Sequence, residues 1–177
     1  MSSKIKNEII EWIKIIATAI VLSLIITQFV KPTLVKGSSM YPTLKEDDYL
    51  IVNRIAYKIG EPEIGDIIVF HTDLPGENGQ QKDLVKRVIA TEGDHIKIED
   101  SNVYVNEVKI DETYINEGIT EGYVDEVIPE GKVFTMGDNR EASLDSRYDE
   151  VGLVEEDSIL GKVMFRLYPF NKIGTLE

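Results

Sequence analysis

Hydrophobic and polar positions divide the chain into two unequal parts. From Ile9 to Val30 the sequence is apolar except for Glu11, Lys14 and a few neutral polar residues. The uncharged part of this run, 15–30, has 16 residues. With the preceding turn, where Lys14 can extend to the interface, it reaches the roughly 20 residues that a helix needs to cross a bilayer core.

The apolar run is longer than the usual apolar region of a cleaved signal peptide, and no small-x-small cleavage site follows it before Lys31-Pro32. A buried core helix is disfavoured because the run is apolar on every face and lies at the extreme terminus. We therefore predict a membrane anchor over 9–30, with a cleaved signal peptide and a buried core helix as the alternatives.

Beyond residue 31 the pattern changes to short alternating or β-branched runs separated by turn residues, which is typical of strands. No helix of ordinary length is predicted there, apart from a turn over 143–148. We therefore predict a mainly β domain over 31–177. Its strand segments are 49–55, 66–71, 83–90, 95–99, 102–110, 132–137 and 159–169.

Two segments between these runs are predicted to be loops. The first, 74–81, contains Pro-Gly and Asn-Gly pairs and is typical of a hairpin connection. The second, 111–130, is rich in glutamate and glycine and is interpreted as an acidic, solvated surface excursion.

Composition narrows the function. The chain of 177 residues has no cysteine and carries a net charge of −13, with its acidic excess after the apolar run. A disulfide framework and a thiolate metal site are therefore excluded, and we expect no metal or cofactor. Nucleic acid would be repelled, so nucleic-acid binding is not expected.

The stretch "VKGSSMYPTL", 35–44, contains two candidate nucleophiles, Ser38 and Ser39. The two histidines, His71 and His95, have no metal-ligand spacing, and nothing in the sequence brings either close to a serine. Lysine can replace histidine as the base if burial lowers its pKa, because desolvation disfavours the ammonium form. The search for a base therefore becomes a search for a lysine inside an apolar strand.

Two lysines fit that description, Lys86 in "DLVKRVIA" and Lys162 in "ILGKVMFRL". Side chains alternate between the two faces of a strand, so Lys86 shares its face with Leu84 and Val88. Strand lysines are commonly solvated edge residues, so the pattern alone does not choose between a base and a surface residue.

Four blocks resemble those of type I signal peptidases, the membrane-bound Ser-Lys peptidases of bacteria. In chain order they are "GSSMYPTL" (37–44), "GDIIVF" (65–70), "KRVIATEGD" (86–94) and "GDNREASLDSR" (137–147). With the anchor, the resemblance covers essentially the whole chain, and its short length and single anchor are similar to the Gram-positive form. It implies an N-terminal transmembrane helix followed by a β-rich catalytic domain of the signal-peptidase-like (LexA-like) fold.

The resemblance also implies residue roles. The serine before the methionine, Ser39, would be the nucleophile, and Lys86 would be the general base. Ser143 matches a serine that hydrogen-bonds and orients the lysine, while Asp145 and Arg147 match a bracing pair. Within "GDNR", we assign Asp138, Asn139 and Arg140 to structure, with the first two bonding their own backbone in a turn.

A substrate pocket is implied in the same way. Val35, Met40, Leu44, Leu84 and Val85 resemble pocket-lining positions, and Asp83 would offer backbone hydrogen bonds, although ordinary core packing explains the apolar positions equally well. The pocket would hold an extended peptide with small residues at −3 and −1.

The oxyanion hole differs from that of one family branch. Members of that branch carry a hydroxyl residue two positions before the nucleophile, where this chain has Gly37. In an extended segment the side chain of Ser38 would point away from that of Ser39, so we do not assign it as a replacement donor.

The function implied by the resemblance is removal of signal peptides from secretory preproteins that emerge from the translocon. Residues 1–8 would then be cytoplasmic and the domain extracytoplasmic, with a monomer tethered to the bilayer. The alternatives are a non-catalytic or specialised relative in surface-protein or pilus assembly, and a LexA-like autoprotease. The second is disfavoured by the anchor and the acidic domain.

Overall fold

A long N-terminal helix leads directly into a β domain. The computed structural model describes residues 3–76, 79, 81–115 and 118–176. Helix α1 spans Ser3–Phe29, and within it Asn7–Phe29 is long and apolar enough to cross a membrane, with none of that window buried against the protein. The predicted anchor is therefore a helix, except that Val30 already belongs to the first strand.

In the rest of the described chain the regular structure is mainly strand, which confirms the mainly β prediction. Besides three 3-10 turns it contains one short helix, α2, at Ala56–Ile59. The strands are β1 Val30–Leu34, β2 Tyr49–Asn53, β3 Ile67–Pro75, β4 Gln81–Ala90, β5 His95–Glu99, β6 Asn102–Val105, β7 Val108–Lys109, β8 Val124–Val127, β9 Lys132–Met136, β10 Val154–Glu155, β11 Ile159–Tyr168 and β12 Gly174–Thr175.

These strands form two antiparallel sheets. The larger has the order β1-β2-β11-β3-β4-β9-β10, with β12 added to β11, and the smaller has the order β7-β6-β5-β8. Strand β9 pairs with β4 only from Arg87 onward. The edge of residues 81–86 is therefore not covered by any described strand, and β1 is also an edge strand.

Both faces of the large sheet are buried, which explains the unbroken apolar run of β3. Ile68 and Phe70 pack into one core cluster and Ile67 and Val69 into another, as the alternation of side chains across a strand requires. A third cluster joins the small sheet to β4 and β9. The region around residue 86 therefore lies among packed apolar side chains.

Each predicted strand segment contains a strand, and β3 and β4 form the predicted hairpin, whose residues 77, 78 and 80 lie outside the described residues. The chain also turns within 143–148, where Tyr148 N–H donates to Asp145 O. The expectation of a solvated loop over 111–130 does not hold at 124–127, because β8 pairs with β5 along the small sheet. Thr120 is buried as well, and residues 116 and 117 are not among the described ones.

Candidate active site

Ser39 lies in a turn, not in the extended segment that the sequence suggested. Tyr41 N–H donates to Ser38 O at 3.0 Å, and Leu44 N–H donates to Met40 O at 2.8 Å. Gly37 enters this turn with φ +81°, a left-handed conformation that glycine adopts without strain. Because this segment is not extended, the alternation of side chains along a strand does not apply to Ser38 and Ser39. The reason given for not assigning Ser38 as a replacement oxyanion donor therefore does not hold.

Lys86 lies on β4 and faces the turn over residues 37–44, which carries the candidate nucleophile Ser39 and is called the nucleophile turn below. Its Nζ is 2.6 Å from Ser39 Oγ, across 47 residues of sequence. Only 1% of the residue is exposed, and this burial lowers the pKa of Lys86 to about 8. Asp145 opposes that shift and the Lys82 ammonium adds to it. The structure thus brings together the serine and a lysine whose neutral fraction near neutral pH is much larger than that of an exposed lysine.

The other residues considered as bases lie in different environments. Lys162 pairs with Asp66, and its side chain is 39% exposed. His71 pairs with Asp83, and His95 lies between Glu107 and Asp125 in the small sheet. Neither histidine hydrogen-bonds Ser39 within the described chain.

The loop after β9 holds the backbone of the nucleophile turn. Asn139 donates twice, from its N–H to Ser39 O at 3.0 Å and from Nδ2 to Ser38 O at 3.1 Å. Gly137 packs so closely that a Cβ there would lie 2.3 Å from both Ser39 O and Ser143 Oγ. Glycine at residue 137 is therefore required for this approach.

A buried ion pair connects the same loop to β4. Arg87 donates from Nε and Nη2 to the two carboxylate oxygens of Asp138 at 2.9 and 2.8 Å, and Thr43 Oγ1 donates to Asp138 as well. Arg140 pairs with Glu112. These contacts agree with the structural role assigned to Asp138 and Arg140. The expectation that Asp138 bonds its own backbone is wrong, because its carboxylate accepts from Arg87 and Thr43.

The predicted orienting and bracing residues behave differently from one another. Ser143 is buried, and its hydroxyl has no hydrogen-bond partner in the described chain, so the expected bond to Lys86 is absent. Arg147 pairs with Asp145 through Nε at 2.8 Å and Nη2 at 2.9 Å. Asp145 also accepts the N–H of Gly137 at 3.0 Å, which anchors the loop beneath the dyad.

A groove of about 860 Å³ leads to the dyad. One wall is formed by the end of β1 and the nucleophile turn, and the other by residues 81–86 of β4, with the β3–β4 hairpin at the far end. The lining residues are Thr33, Leu34, Val35, Lys36, Gly37, Ser38, Ser39, Met40, Val69, Pro75, Gly76, Gln81, Lys82, Asp83, Leu84, Val85, Lys86, Ala142 and Leu144.

The groove includes five of the six predicted pocket residues, namely Val35, Met40, Asp83, Leu84 and Val85. Leu44 is the exception. It is completely buried and packs in the core cluster beneath β2, so the core explanation applies to it.

Sequence reasoning missed the residues that hold the nucleophile turn. Gly137 and Asn139 lie in a block that the sequence had marked, but nothing in their spacing pointed to contacts with Ser38 and Ser39. Arg87 directly follows the candidate base, and only a charged residue in a buried strand hinted that it needs a buried partner.

Comparisons with known proteins show to which family the sequence is similar. The sequence profile of the family described as signal peptidase, peptidase S26, matches residues 9–168. Signal peptidase IB of Staphylococcus aureus (strain COL) is 40% identical, with 94% of this chain and 93% of the relative covered. Signal peptidase I of Bacillus licheniformis is 36% identical, with 97% and 95% covered.

Among solved structures, a signal peptidase I from Enterococcus faecalis V583 matches with 30% identity and a TM-score of 0.46. The match covers 59% of this chain and 97% of that one. The family profile and the two nearly full-length relatives together establish that this chain belongs to the signal peptidase family, peptidase S26.

Proposed function

We propose that this protein is a membrane-bound serine endopeptidase that removes signal peptides from secretory preproteins, cleaving after small-x-small sequences with Ser39 as nucleophile and Lys86 as general base. The observation that carries the proposal is the 2.6 Å contact between Lys86 Nζ and Ser39 Oγ, together with a lysine pKa near 8. A lysine with this pKa is partly neutral at working pH, and its neutral form is still basic enough to accept a proton.

In the proposed acylation, neutral Lys86 accepts the Ser39 hydroxyl proton as Oγ attacks the scissile carbonyl carbon. Collapse of the tetrahedral intermediate breaks the C–N bond, and the Lys86 ammonium returns the proton to the departing amine of the mature protein. The signal peptide remains as an ester on Ser39. Water, deprotonated by Lys86, then attacks this ester and releases the peptide, and Ser39 regains its proton.

The backbone N–H of Ser39 is the candidate oxyanion donor. It donates no hydrogen bond to any residue of the described chain, and it belongs to the attacking residue itself. Gly37 has no side chain to supply a second donor. A donor that is already fixed in place stabilises the developing charge without reorganisation at the moment of reaction.

Strand directions indicate how the substrate would lie. Along the sheet order β1-β2-β11-β3-β4 every neighbouring pair is antiparallel, so β1 and β4 run in the same direction, toward the dyad. Consider a peptide that lies between these two uncovered edges with its scissile bond at Ser39 and its N-terminal side in the groove. Such a peptide also runs toward the dyad and is therefore parallel to both strands. Its N-terminal side would point to the start of β1, where α1 ends, as a membrane-embedded signal peptide requires.

We also propose a single-pass topology with residues 1–8 cytoplasmic and the domain extracytoplasmic, because secretory preproteins emerge on that side of the membrane. A preprotein leaving the translocon would meet the groove on that side. Protease added outside intact cells should then digest the domain and leave α1 protected, whereas protection of the domain would refute this orientation.

The decisive test is cleavage of a preprotein by the full chain and by Ser39→Ala and Lys86→Met. We expect each variant to lose activity by at least about 10³-fold. Lys109→Met, at an exposed position in the small sheet, should retain wild-type activity. Mass spectrometry of the products locates the cleaved bond. Wild-type turnover by either dyad variant would refute the assignment, and binding without cleavage by the wild type would favour an assembly role.

A further inference from the structure

The groove carries positive charge in a protein that is strongly acidic overall. The net charge of the chain is −13, yet among the described residues the charged side chains that line the groove are three lysines and one aspartate: Lys36, Lys82, Lys86 and Asp83. Because narrow sites focus the field of their own charges, the local sign outweighs the distant acidic surface.

Among the described residues, Asp83 is the one acidic side chain that lines the groove, and Lys31 compensates its charge. Asp83 Oδ1 lies 2.6 Å from His71 Nδ1, and Asp83 Oδ2 lies 3.5 Å from the Nζ of Lys31 on the opposite wall. Lys36 pairs with Asp47 outside the groove. Lys82 makes no ion pair with the described residues. The uncompensated charge on this side of the dyad therefore lies at Lys82.

The register of β4 places this charge along a bound peptide. If the residue at −1 lies level with Lys86, a parallel peptide advances one residue for each residue of β4, at about 3.3 Å per residue. Residues 83, 82 and 81 then lie beside positions of about −4, −5 and −6. This is the polar stretch between the small-residue positions and the apolar part of the substrate.

We propose that Lys82 forms a charge-selective subsite that favours a carboxylate side chain at one of positions −4 to −6 of the substrate and disfavours an ammonium there. The numbering of the substrate positions rests on the proposed function, because it counts from the scissile bond. The positive charge of the subsite does not depend on that function. Lys82 is on the membrane side of the dyad, so the preference concerns the signal peptide and not the mature protein.

The test uses fluorogenic peptides with alanine at −3 and −1 and with glutamate, glutamine or lysine at −4, −5 or −6 in turn. The full chain is assayed in non-ionic detergent at low ionic strength, so that no lipid charge contributes. Exposed charge pairs have small effects, so we expect kcat/KM for the best glutamate peptide to exceed that of its lysine counterpart by roughly three- to tenfold. The ratio should fall in high salt because screening weakens the attraction.

Variants assign the preference to the groove. Lys82→Met should lower the glutamate-to-lysine ratio at least about twofold, and Lys82→Glu should invert it, while Lys109→Met keeps the wild-type ratio. Equal kcat/KM for the charged peptides at all three positions, or an unchanged ratio in both Lys82 variants, would overturn the subsite.

Binding separates this inference from the catalytic assignment. Fluorescence anisotropy with Ser39→Ala measures the Kd of each peptide without turnover. If the wild type cleaves no peptide, the proposed function fails, but a glutamate preference in Kd that disappears in Ser39→Ala/Lys82→Met still supports the subsite. Cleavage with equal Kd and equal kcat/KM for all charged peptides refutes the subsite alone.

Discussion

Replacing Lys86 with methionine should abolish activity and at the same time stabilise the fold. The side chain is 1% exposed, and burial lowers its pKa from 10.5 to about 8. The folded protein therefore binds the lysine proton less tightly than the unfolded chain does, and folding is penalised wherever the unfolded lysine is protonated. Methionine has a similar shape and no charge to bury.

The magnitude follows from the size of the pKa change. One pKa unit corresponds to about 1.36 kcal/mol, so the penalty is of the order of 3 kcal/mol. It is fully present below pH 8, decreases as pH rises from about 8 to 10.5, and vanishes above the pKa of the unfolded lysine. The stability of the wild type relative to Lys86→Met should therefore increase with pH across this interval.

Denaturant unfolding of the full chain in non-ionic detergent, at pH 7, 8.5 and 10, measures this difference. We expect Lys86→Met to be more stable by about 3 kcal/mol at pH 7 and by much less at pH 10. Lys109→Met, which changes an exposed lysine, should show no pH-dependent difference. A Lys86→Met protein that is less stable at pH 7, or a difference that does not change with pH, would refute the reasoning.

Three other results are expected. First, kcat/KM should rise between pH 7 and 9 with a midpoint near 8, as Lys86 loses its proton; a midpoint near 6.5 would instead indicate histidine. Second, Gly137→Ala should lower kcat/KM about 10²-fold, because the new Cβ displaces Ser39. Gly174→Ala, where a Cβ meets nothing within 4 Å, should not change kcat/KM, and equal activity of the two variants would contradict the contact. Third, hydrogen bonds to two carboxylates raise the pKa of His95, so this contact stabilises the small sheet at low pH and is lost as pH rises through the raised pKa. Hydrogen exchange of β8, corrected for intrinsic rates, should show opening that increases with pH in the wild type but not in His95→Gln; the same pH dependence in both proteins would contradict it.

Strands with a buried face could be predicted from sequence, and edge strands could not. The apolar run of β3 is buried on both faces and is unmistakable. β1 contains a proline and continues directly from α1, so neither its pattern nor a turn signal separates it. β8, with the sequence VDEV, has mostly exposed side chains and is a strand because it pairs with β5. Such pairing depends on tertiary structure, which local propensity does not describe.

Sequence reasoning could predict those site residues whose type is required by the chemistry, but not their partners. A candidate nucleophilic serine with no histidine near it directed the search to a buried lysine, and Lys86 is buried and in contact with Ser39. The partners of buried charges were not predictable, because Arg87 and Asp138 are 51 residues apart in the chain. The resemblance likewise implied a bond from Ser143 to Lys86 that the structure does not contain.

Residues that do not react determine the geometry of the dyad. A neutral base cannot be held by an ion pair, so Lys86 depends on the register of β4, where a slip of one residue would turn it to the opposite face. Arg87 on that opposite face fixes the register through its two hydrogen bonds to Asp138. The same carboxylate accepts the hydroxyl of Thr43 from the nucleophile turn. One buried aspartate, Asp138, therefore contacts both the strand that carries the proposed base and the turn that carries Ser39, and its loss should separate the two without removing either.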